Sequence, residues 1–272
     1  MNRAERRRKD RQDKKDIKQE GDMQSFQMEM ELIQPWSNFV MRTKLPPQIF
    51  DAMIKITDEI LNDQNRKNWG DNLAGQIADE PLIPHSILQR EGIYGFFLET
   101  VGEYVRCAIK QQATSTDYHK VENIEWMTKM MSMWIISQKD NEYNPCHIHT
   151  DCAVSSVMYL KVPEFLPSTK AERDDDGCIC FIGAGHVNSR LTRNLVKVKP
   201  KVGEFFIFPA HLQHCVYPFK TEGDQERRSV SFNADFINKD EYEKQQKMMK
   251  QQQQAPPPIQ QAPEKLTINT EA

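Results

Sequence analysis

The sequence Asn-Pro-Cys-His-Ile-His-Thr-Asp, residues 144–151, places His147, His149 and Asp151 within five residues of one another. The apolar, β-rich run at residues 154–162 follows almost at once and is typical of a buried strand. In an extended strand, residues i and i+2 point to the same face, so the His149–Asp151 pair can hold one ion. A further ligand must then come from a distant part of the chain.

Short β-rich segments, separated by turns that contain Gly, Pro or Asp, surround this motif. They are found at residues 126–136, 178–182, 195–199, 204–208 and 228–236. Such spacing is typical of an antiparallel sandwich or jelly roll. Upstream, apolar residues at helical spacing predict two helices, at residues 47–61 and 86–111.

The composition indicates a folded domain with polar tails. The 272 residues are 38% hydrophobic and carry a net charge of −3, so nothing overall requires a nucleic-acid partner. Only the first twenty residues suggest one, since they hold nine Lys or Arg against five Asp or Glu. With no run of eighteen apolar residues, no signal peptide and no C-x-x-C among six cysteines, we expect a cytoplasmic protein that does not enter membranes.

A distal histidine and an arginine complete the pattern of candidate site residues. His214 lies in FPAHLQHCVYPF, residues 208–219, and Arg227 follows it by thirteen residues. On a strand, Arg227 and Ser229 share one face with the next odd-numbered residues, while Arg228 takes the other face. The chain therefore contains H-x-D, a distal His and R-x-S in that order.

Residues 134–236 resemble the Fe(II)- and 2-oxoglutarate-dependent dioxygenases of the prolyl-hydroxylase-like type, many of which are encoded by bacteriophages. The segments that carry the resemblance are NPCHIHTD, SSVMYLKVP, DGCICF, PKVGEFFIFPAHLQHCVYPF and RRSVSFN. DNLAG, at residues 71–75, is similar to an N-terminal element of the same proteins. The resemblance implies an α+β fold, with a double-stranded β-helix (jelly-roll) core and an N-terminal supporting helical layer.

The resemblance also implies a site with one Fe(II), and the predicted metal ligands and catalytic residues are His149, Asp151 and His214. Two imidazoles and one carboxylate leave metal positions open for 2-oxoglutarate and dioxygen. Arg227 is the predicted partner of the co-substrate carboxylate, with Ser229 and Tyr159 as hydroxyl donors. The expected reaction hydroxylates an unactivated carbon, in a prolyl or other protein side chain or a small molecule, and releases succinate and CO2. Ascorbate is the candidate reductant.

Two residue assignments stay open at this point. His147 precedes His149 by two residues, so an H-x-H pair is geometrically as good as H-x-D, and only the facial triad of two histidines and a carboxylate favours Asp151. Arg228 is next to Arg227, and the spacing to Ser229 favours Arg227 as the residue that holds 2-oxoglutarate.

The predicted division of the chain has four parts. A basic, disordered tail at 1–25 precedes a strand and supporting helices at 26–120, the catalytic β-helix domain at 121–240 and a Gln/Pro-rich disordered tail at 241–272. The alternative function is a cupin-like metal-binding protein that is non-catalytic or independent of 2-oxoglutarate. The complete set of His149, Asp151, His214 and Arg227 argues against a non-catalytic protein. The R-x-S pair argues against a protein that is independent of 2-oxoglutarate, because the pair has no purpose there.

Overall fold

A computed structural model describes residues 38–112, 124–170, 172–183 and 194–254, with no side-chain detail beyond residue 249. Four α-helices within these ranges are α1 Pro47–Asn62, α2 His85–Arg90, α3 Tyr94–Gln112 and α4 Lys239–Gln254. The strands are β1 Met41–Lys44, β2 Trp126–Gln138, β3 Asn144–His147, β4 Val154–Lys161, β5 Ile179–Ile182, β6 Leu195–Val198, β7 Glu204–Pro209, β8 Gln213–Val216 and β9 Arg227–Asn238. No helix in this part of the chain is both long and apolar enough to cross a membrane.

The strands form two antiparallel sheets whose connections alternate between them. The larger sheet has the order β1-β7-β4-β9-β2 and the smaller one has the order β3-β8-β5-β6. From β2 to β5, and again from β7 to β9, each strand lies in the other sheet from the strand before it. This order is that of a jelly roll, so the predicted α+β fold with a double-stranded β-helix core is confirmed.

The two faces of the larger sheet pack against different parts of the protein. Its outer face packs on the helices, where the Phe97 ring of α3 lies edge-on to Phe205 and Phe232, with centroids 6.3 and 5.8 Å apart. Its inner face contributes Phe206 and Phe208 to a second buried cluster, which lies between the sheets. Alternate side chains of each central strand therefore point either to the core under the helices or to the interior between the two sheets.

The predicted helix at residues 86–111 is wrong as a single element, because the chain breaks it into α2 and α3. Gly92 has φ +72°, and its N–H donates to the carbonyl of Gln89 at 3.1 Å, while Ile93 N–H donates to Leu88 at 3.0 Å. These two bonds form a Schellman motif, which ends a helix at a left-handed glycine.

Two short strands and one helix also differ from the prediction. Strands β3 and β8, which flank the site, were not predicted. Helix α4 covers residues 241–254, which were assigned to the Gln/Pro-rich tail, and residues 255–272 lie outside the described ranges. The basic tail at 1–25 also lies outside them, as does most of the extended segment expected before β1.

Candidate functional site

A cavity of about 420 Å³ opens between the two sheets and receives side chains from both. The loop at residues 69–80 closes one wall, with Trp69, Asn72 and Glu80 among the lining residues. From β9, all four odd-numbered residues from Arg227 to Asn233 line the cavity, while Val230 and Phe232 belong to the core under the helices. The predicted alternation along this strand is therefore observed.

Three histidines meet in this cavity. His147, the last residue of β3, is directly opposite His214 of β8 in the strand register, and their ring centroids are 4.3 Å apart. His149 follows after the strand has ended, where its N–H donates to Ala210 O at 2.9 Å. One ring nitrogen from each of the three lies within 4.8 Å of the others, and His149 Nε2 is 3.3 Å from His214 Nε2.

Backbone carbonyls determine which ring nitrogens face inward. His147 Nδ1 is 2.7 Å from Pro145 O, and His214 Nδ1 is 2.9 Å from Leu212 O. A carbonyl only accepts, so both Nδ1 atoms carry the proton and donate it, which leaves Nε2 as the lone-pair atom. Such carbonyl contacts are the usual means by which proteins orient histidine ligands.

Burial keeps these imidazoles neutral at physiological pH. It lowers the pKa of His149 to about 3 and that of His214 to about 4, with a further contribution from neighbouring histidines. The pKa of His147 is also lowered by burial. Since a metal–imidazole bond is about 2.0–2.1 Å long, nitrogens 3.3 Å apart can reach one ion. The donor set therefore fits a divalent transition metal such as Fe(II).

Asp151 does not belong to this cluster, although it lines the same cavity. It is exposed and has a left-handed backbone, with φ +59°, beyond the end of β3. The extended geometry that would place Asp151 on the same face as His149 is therefore absent at this residue. The ligand set His149, Asp151 and His214 stays a prediction, and the structure brings together the alternative set that includes His147.

Arg227 is a buried cation with only neutral acceptors. The residue is 1% exposed, and its Nη1 donates to Gln138 Oε1 at 2.9 Å and to Gly177 O at 3.2 Å, while Nε has no hydrogen-bond partner among the described residues. Burial lowers the pKa of this guanidinium. A buried charge needs a counter-charge, so the group is prepared to receive an anion from the cavity.

The two predicted hydroxyl donors, Tyr159 of β4 and Ser229 of β9, lie on neighbouring strands. Tyr159 is fully buried, its ring centroid is 5.1 Å from the Arg227 guanidinium carbon, and its hydroxyl has no hydrogen-bond partner in the part of the chain that the structure describes. Burial raises the pKa of Tyr159 to about 12, so the hydroxyl keeps its proton. Ser229 is opposite Tyr159 in the β4–β9 register and lines the cavity itself. Together they can add neutral donors to an anion site at Arg227.

Arg228 has partners of a different kind on the opposite face of β9. Its guanidinium donates to both carboxylate oxygens of Glu226, at 2.7 and 2.9 Å, and to Asp58 Oδ1 of α1 at 2.5 Å. Of the two adjacent arginines, only Arg227 lines the cavity. The face alternation that favoured Arg227 is therefore observed, while its role toward 2-oxoglutarate stays a prediction.

Sequence reasoning missed several lining residues. Glu80 and Trp69 come from a loop that joins the site through long-range pairing with β2 and with Tyr143, the residue before β3. The one sequence signal for this loop was the similarity of residues 71–75, which lie between Trp69 and Glu80, to an N-terminal element of the oxygenases. Gln138, which accepts from Arg227, is its direct partner in the β2–β9 register, so it could be found only once that pairing was known.

A comparison with protein families finds a match to part of the chain. Residues 132–233 match the family described as "Putative 2OG-Fe(II) oxygenase". The match covers the inner strands of the jelly roll, both cavity-lining sheets and the three histidines. It confirms the predicted resemblance and the predicted enzyme class, a 2-oxoglutarate-dependent oxygenase, over this region. No curated protein matches the chain in sequence.

Solved structures with a similar arrangement are remote in sequence. A prolyl-4-hydroxylase from Pseudomonas putida is 15% identical over 72% of this chain and 93% of its own, with a TM-score of 0.43. A prolyl hydroxylase from Trichoplax adhaerens is 11% identical over 75% and 84%, with a TM-score of 0.45. A viral collagen prolyl hydroxylase from Paramecium bursaria Chlorella virus-1 is 14% identical over 72% and 94%, with a TM-score of 0.38. At this distance the likeness carries no argument about function.

Proposed function

We propose that this protein is an Fe(II)- and 2-oxoglutarate-dependent dioxygenase that hydroxylates an unactivated carbon of its prime substrate. The observation that carries the proposal is that two sets of residues in one cavity are each arranged to bind a ligand. One is the cluster of three neutral imidazoles, and the other is Arg227, a buried cation with no carboxylate among its described partners. A metal ion completes the first, and the dicarboxylate 2-oxoglutarate completes the second.

For the metal, the geometry supports His147, His149 and His214 as ligands. Their nitrogens already converge, two of the rings are oriented by carbonyls, and burial keeps all three neutral. The alternative set replaces His147 with Asp151, which would have to move from its exposed, left-handed position to reach the ion. The carboxylate-containing set is usual for non-haem iron oxygenases, so this distinction requires a direct test.

For the co-substrate, Arg227 would hold the distal carboxylate of 2-oxoglutarate. Its Nη1 is kept in place by Gln138 and Gly177, and Nε has no partner, so the guanidinium is pre-oriented and still has donor capacity. The Tyr159 hydroxyl and Ser229 add donors on the same side. A buried guanidinium pairs with a carboxylate more specifically than an ammonium does, because its planar fork matches the two oxygens.

Bound iron would supply dioxygen activation coupled to oxidative decarboxylation of the co-substrate. The balanced reaction consumes the substrate C–H, dioxygen and 2-oxoglutarate, and yields the C–OH product, succinate and CO2. The residues of this chain hold the reactants together and exclude water. Phe208 and Ile179 provide apolar wall next to the histidines. The substrate implied by the resemblance is a prolyl or other protein side chain, with ascorbate as reductant.

The test is formation of succinate from 2-oxoglutarate in the presence of Fe(II), dioxygen and ascorbate. We compare Arg227→Lys with Arg228→Lys, which make the same chemical change at adjacent positions on opposite faces of β9. Arg227→Lys should raise the KM for 2-oxoglutarate by about tenfold or more, since it loses the bidentate fork. Arg228→Lys should leave KM nearly unchanged, because Arg228 and its carboxylate partners, Asp58 and Glu226, are not among the residues that line the cavity.

Two results would count against the proposal. If the wild type consumes no 2-oxoglutarate, with or without a prolyl peptide, the alternative of a cupin-like binding protein is favoured. If the two lysine variants have the same KM, Arg227 does not hold the co-substrate.

A further inference from the structure

Glu80 is a buried carboxylate on the wall of the cavity, and the proposed reaction does not use it. The residue is 1% exposed and belongs to an extended segment that pairs with the free edge of β2. Ile135 N–H donates to Pro81 O at 2.9 Å, and Ser137 N–H donates to Asp79 O at 3.0 Å. These bonds fix the backbone of Glu80 on both sides.

Its side chain has no partner that explains this burial. Oε2 is buried without a hydrogen bond, and no described cation pairs with the carboxyl. The neighbouring charge is Glu142, whose own oxygens accept from the N–H groups of Ala78 at 2.9 Å and Lys139 at 2.7 Å. Arg66, the last arginine before Glu80 in the sequence, is held by Asp79 instead. Burial, with Glu142 second, raises the pKa of Glu80 to about 7.

The carboxylate also has a shaped space around it. A Cβ on Gly75 would lie 2.7 Å from Asn144 Oδ1 and 3.1 Å from each carboxylate oxygen of Glu80, so only glycine allows this approach. A Cβ on Gly70 would lie 3.6 Å from Oε2. Two glycines of the same loop thus pass close to the carboxylate without covering it with side chains.

An aromatic ring lies on the same wall. Trp69 lines the cavity, and its backbone N–H donates to the backbone carbonyl of Glu80 at 2.8 Å, which fixes the two main chains relative to each other. Lys67 Nζ lies 5.2 Å from the centroid of this indole, so the ring already accepts one cation in this structure. A carboxylate and an electron-rich ring on the wall of one cavity are two groups that can recognise an organic cation.

We propose that Glu80 and Trp69 bind a cationic nitrogen, an ammonium or guanidinium group, on the prime substrate. This inference rests on the proposed function, because it assumes that a substrate enters the cavity beside 2-oxoglutarate. The cavity then has two charged positions of opposite sign: Arg227 receives the anionic co-substrate and Glu80 receives the cationic substrate. The unpartnered Oε2 of Glu80 accepts a hydrogen bond from that nitrogen, which compensates its burial.

The experiment measures how three probes bind and how they stimulate 2-oxoglutarate turnover. The probes are N-acetyl-lysine amide, N-acetyl-arginine amide and the uncharged N-acetyl-norleucine amide. Binding is followed without dioxygen by calorimetry and by tryptophan fluorescence, since Trp69 and Trp134 line the cavity. In the wild type, at least one cationic probe should bind about tenfold to a hundredfold more tightly than norleucine amide and should increase succinate formation.

Glu80→Gln keeps the shape of the side chain and should abolish this preference, both in binding and in the stimulation of succinate formation. Asp79→Asn is the matched control, because it removes the neighbouring carboxylate, which pairs with Arg66. It should retain the preference for cations. Equal binding of cationic and neutral probes by the wild type, or a preference that survives in Glu80→Gln, would overturn the inference.

Different results would rule out the proposed function and the cation site. If the wild type turns over 2-oxoglutarate without distinguishing the probes, the substrate inference is wrong and the proposed function stands. If the wild type binds cations selectively but never consumes 2-oxoglutarate, the proposed function is wrong and the cation site stands.

Discussion

At the scale of single residues, Glu80 gives the protein a stability that depends on pH. Burial raises its pKa from 4.5 to about 7 in the fold. The unfolded chain therefore loses this proton at lower pH than the folded chain does, and folding becomes less favourable as pH rises between those values. A shift of this size corresponds to at most about 3 kcal/mol.

Glu80→Gln removes the ionisable group and keeps its volume. We expect the variant to be more stable than the wild type at about pH 8, by about 1–3 kcal/mol, and to lose that advantage at about pH 4. Urea unfolding at both pH values measures the difference. A difference that is the same at the two pH values would show that the carboxyl titrates normally in the fold.

At the scale of secondary-structure elements, Gly92 separates the two helices that were predicted as one. Its φ of +72° is unfavourable for any residue with a Cβ. Gly92→Ala should therefore destabilise the fold by about 1–2 kcal/mol. Gly95, at the start of α3, has open space where a Cβ would lie and no positive φ, so Gly95→Ala should be neutral or stabilising. Thermal unfolding of both variants checks the prediction, and equal effects would contradict it.

The short strands β3 and β8 explain why the metal ligands were hard to choose from the sequence. Strand pairing brings His147 and His214 directly opposite each other, but β3 has four residues and includes Pro145 and polar side chains, so it lacks a strand signature. The H-x-D argument assumed that extended backbone continues to Asp151. The chain instead leaves the strand after His147 and turns through a left-handed residue at Asp151, which is decided by tertiary packing.

At the scale of the whole molecule, Arg228 connects the helix layer to the jelly roll. Its side chain is 6% exposed and pairs with Asp58 of α1 and with Glu226. Arg228→Met leaves both carboxylates without their main partner and should lower the free energy of unfolding by about 2–4 kcal/mol. Arg90 also bridges two carboxylates, Glu59 and Glu91, but at the surface. Arg90→Met should have no clear effect.

Denaturant unfolding of the two methionine variants measures this comparison. Equal stability would mean that the buried ion pairs contribute nothing beyond what surface pairs do, and that the helices are held by apolar contacts such as those of Phe97.

The sequence predicted the jelly roll because several short β-rich segments are separated by turns that contain Gly, Pro or Asp. On β9, strand alternation assigned Arg227 and Ser229 to one face and Val230 to the other; the first face lines the cavity and the second belongs to the core under the helices. It could not predict residues that enter the cavity through long-range pairing. Glu80 and Trp69 belong to an irregular loop whose position depends on the edge of β2, and nothing in local periodicity indicates that contact.

The proposed function depends on a metal ion bound by the three histidines in the cavity. We would measure the metal content and Fe(II) affinity of His147→Ala and Asp151→Ala side by side under anaerobic conditions, with His149→Ala as a reference. We expect His147→Ala to lose metal as His149→Ala does, while Asp151→Ala retains about one ion per chain with near-wild-type affinity. Loss of metal in Asp151→Ala, with retention in His147→Ala, would contradict this expectation and return the ligand set to His149, Asp151 and His214.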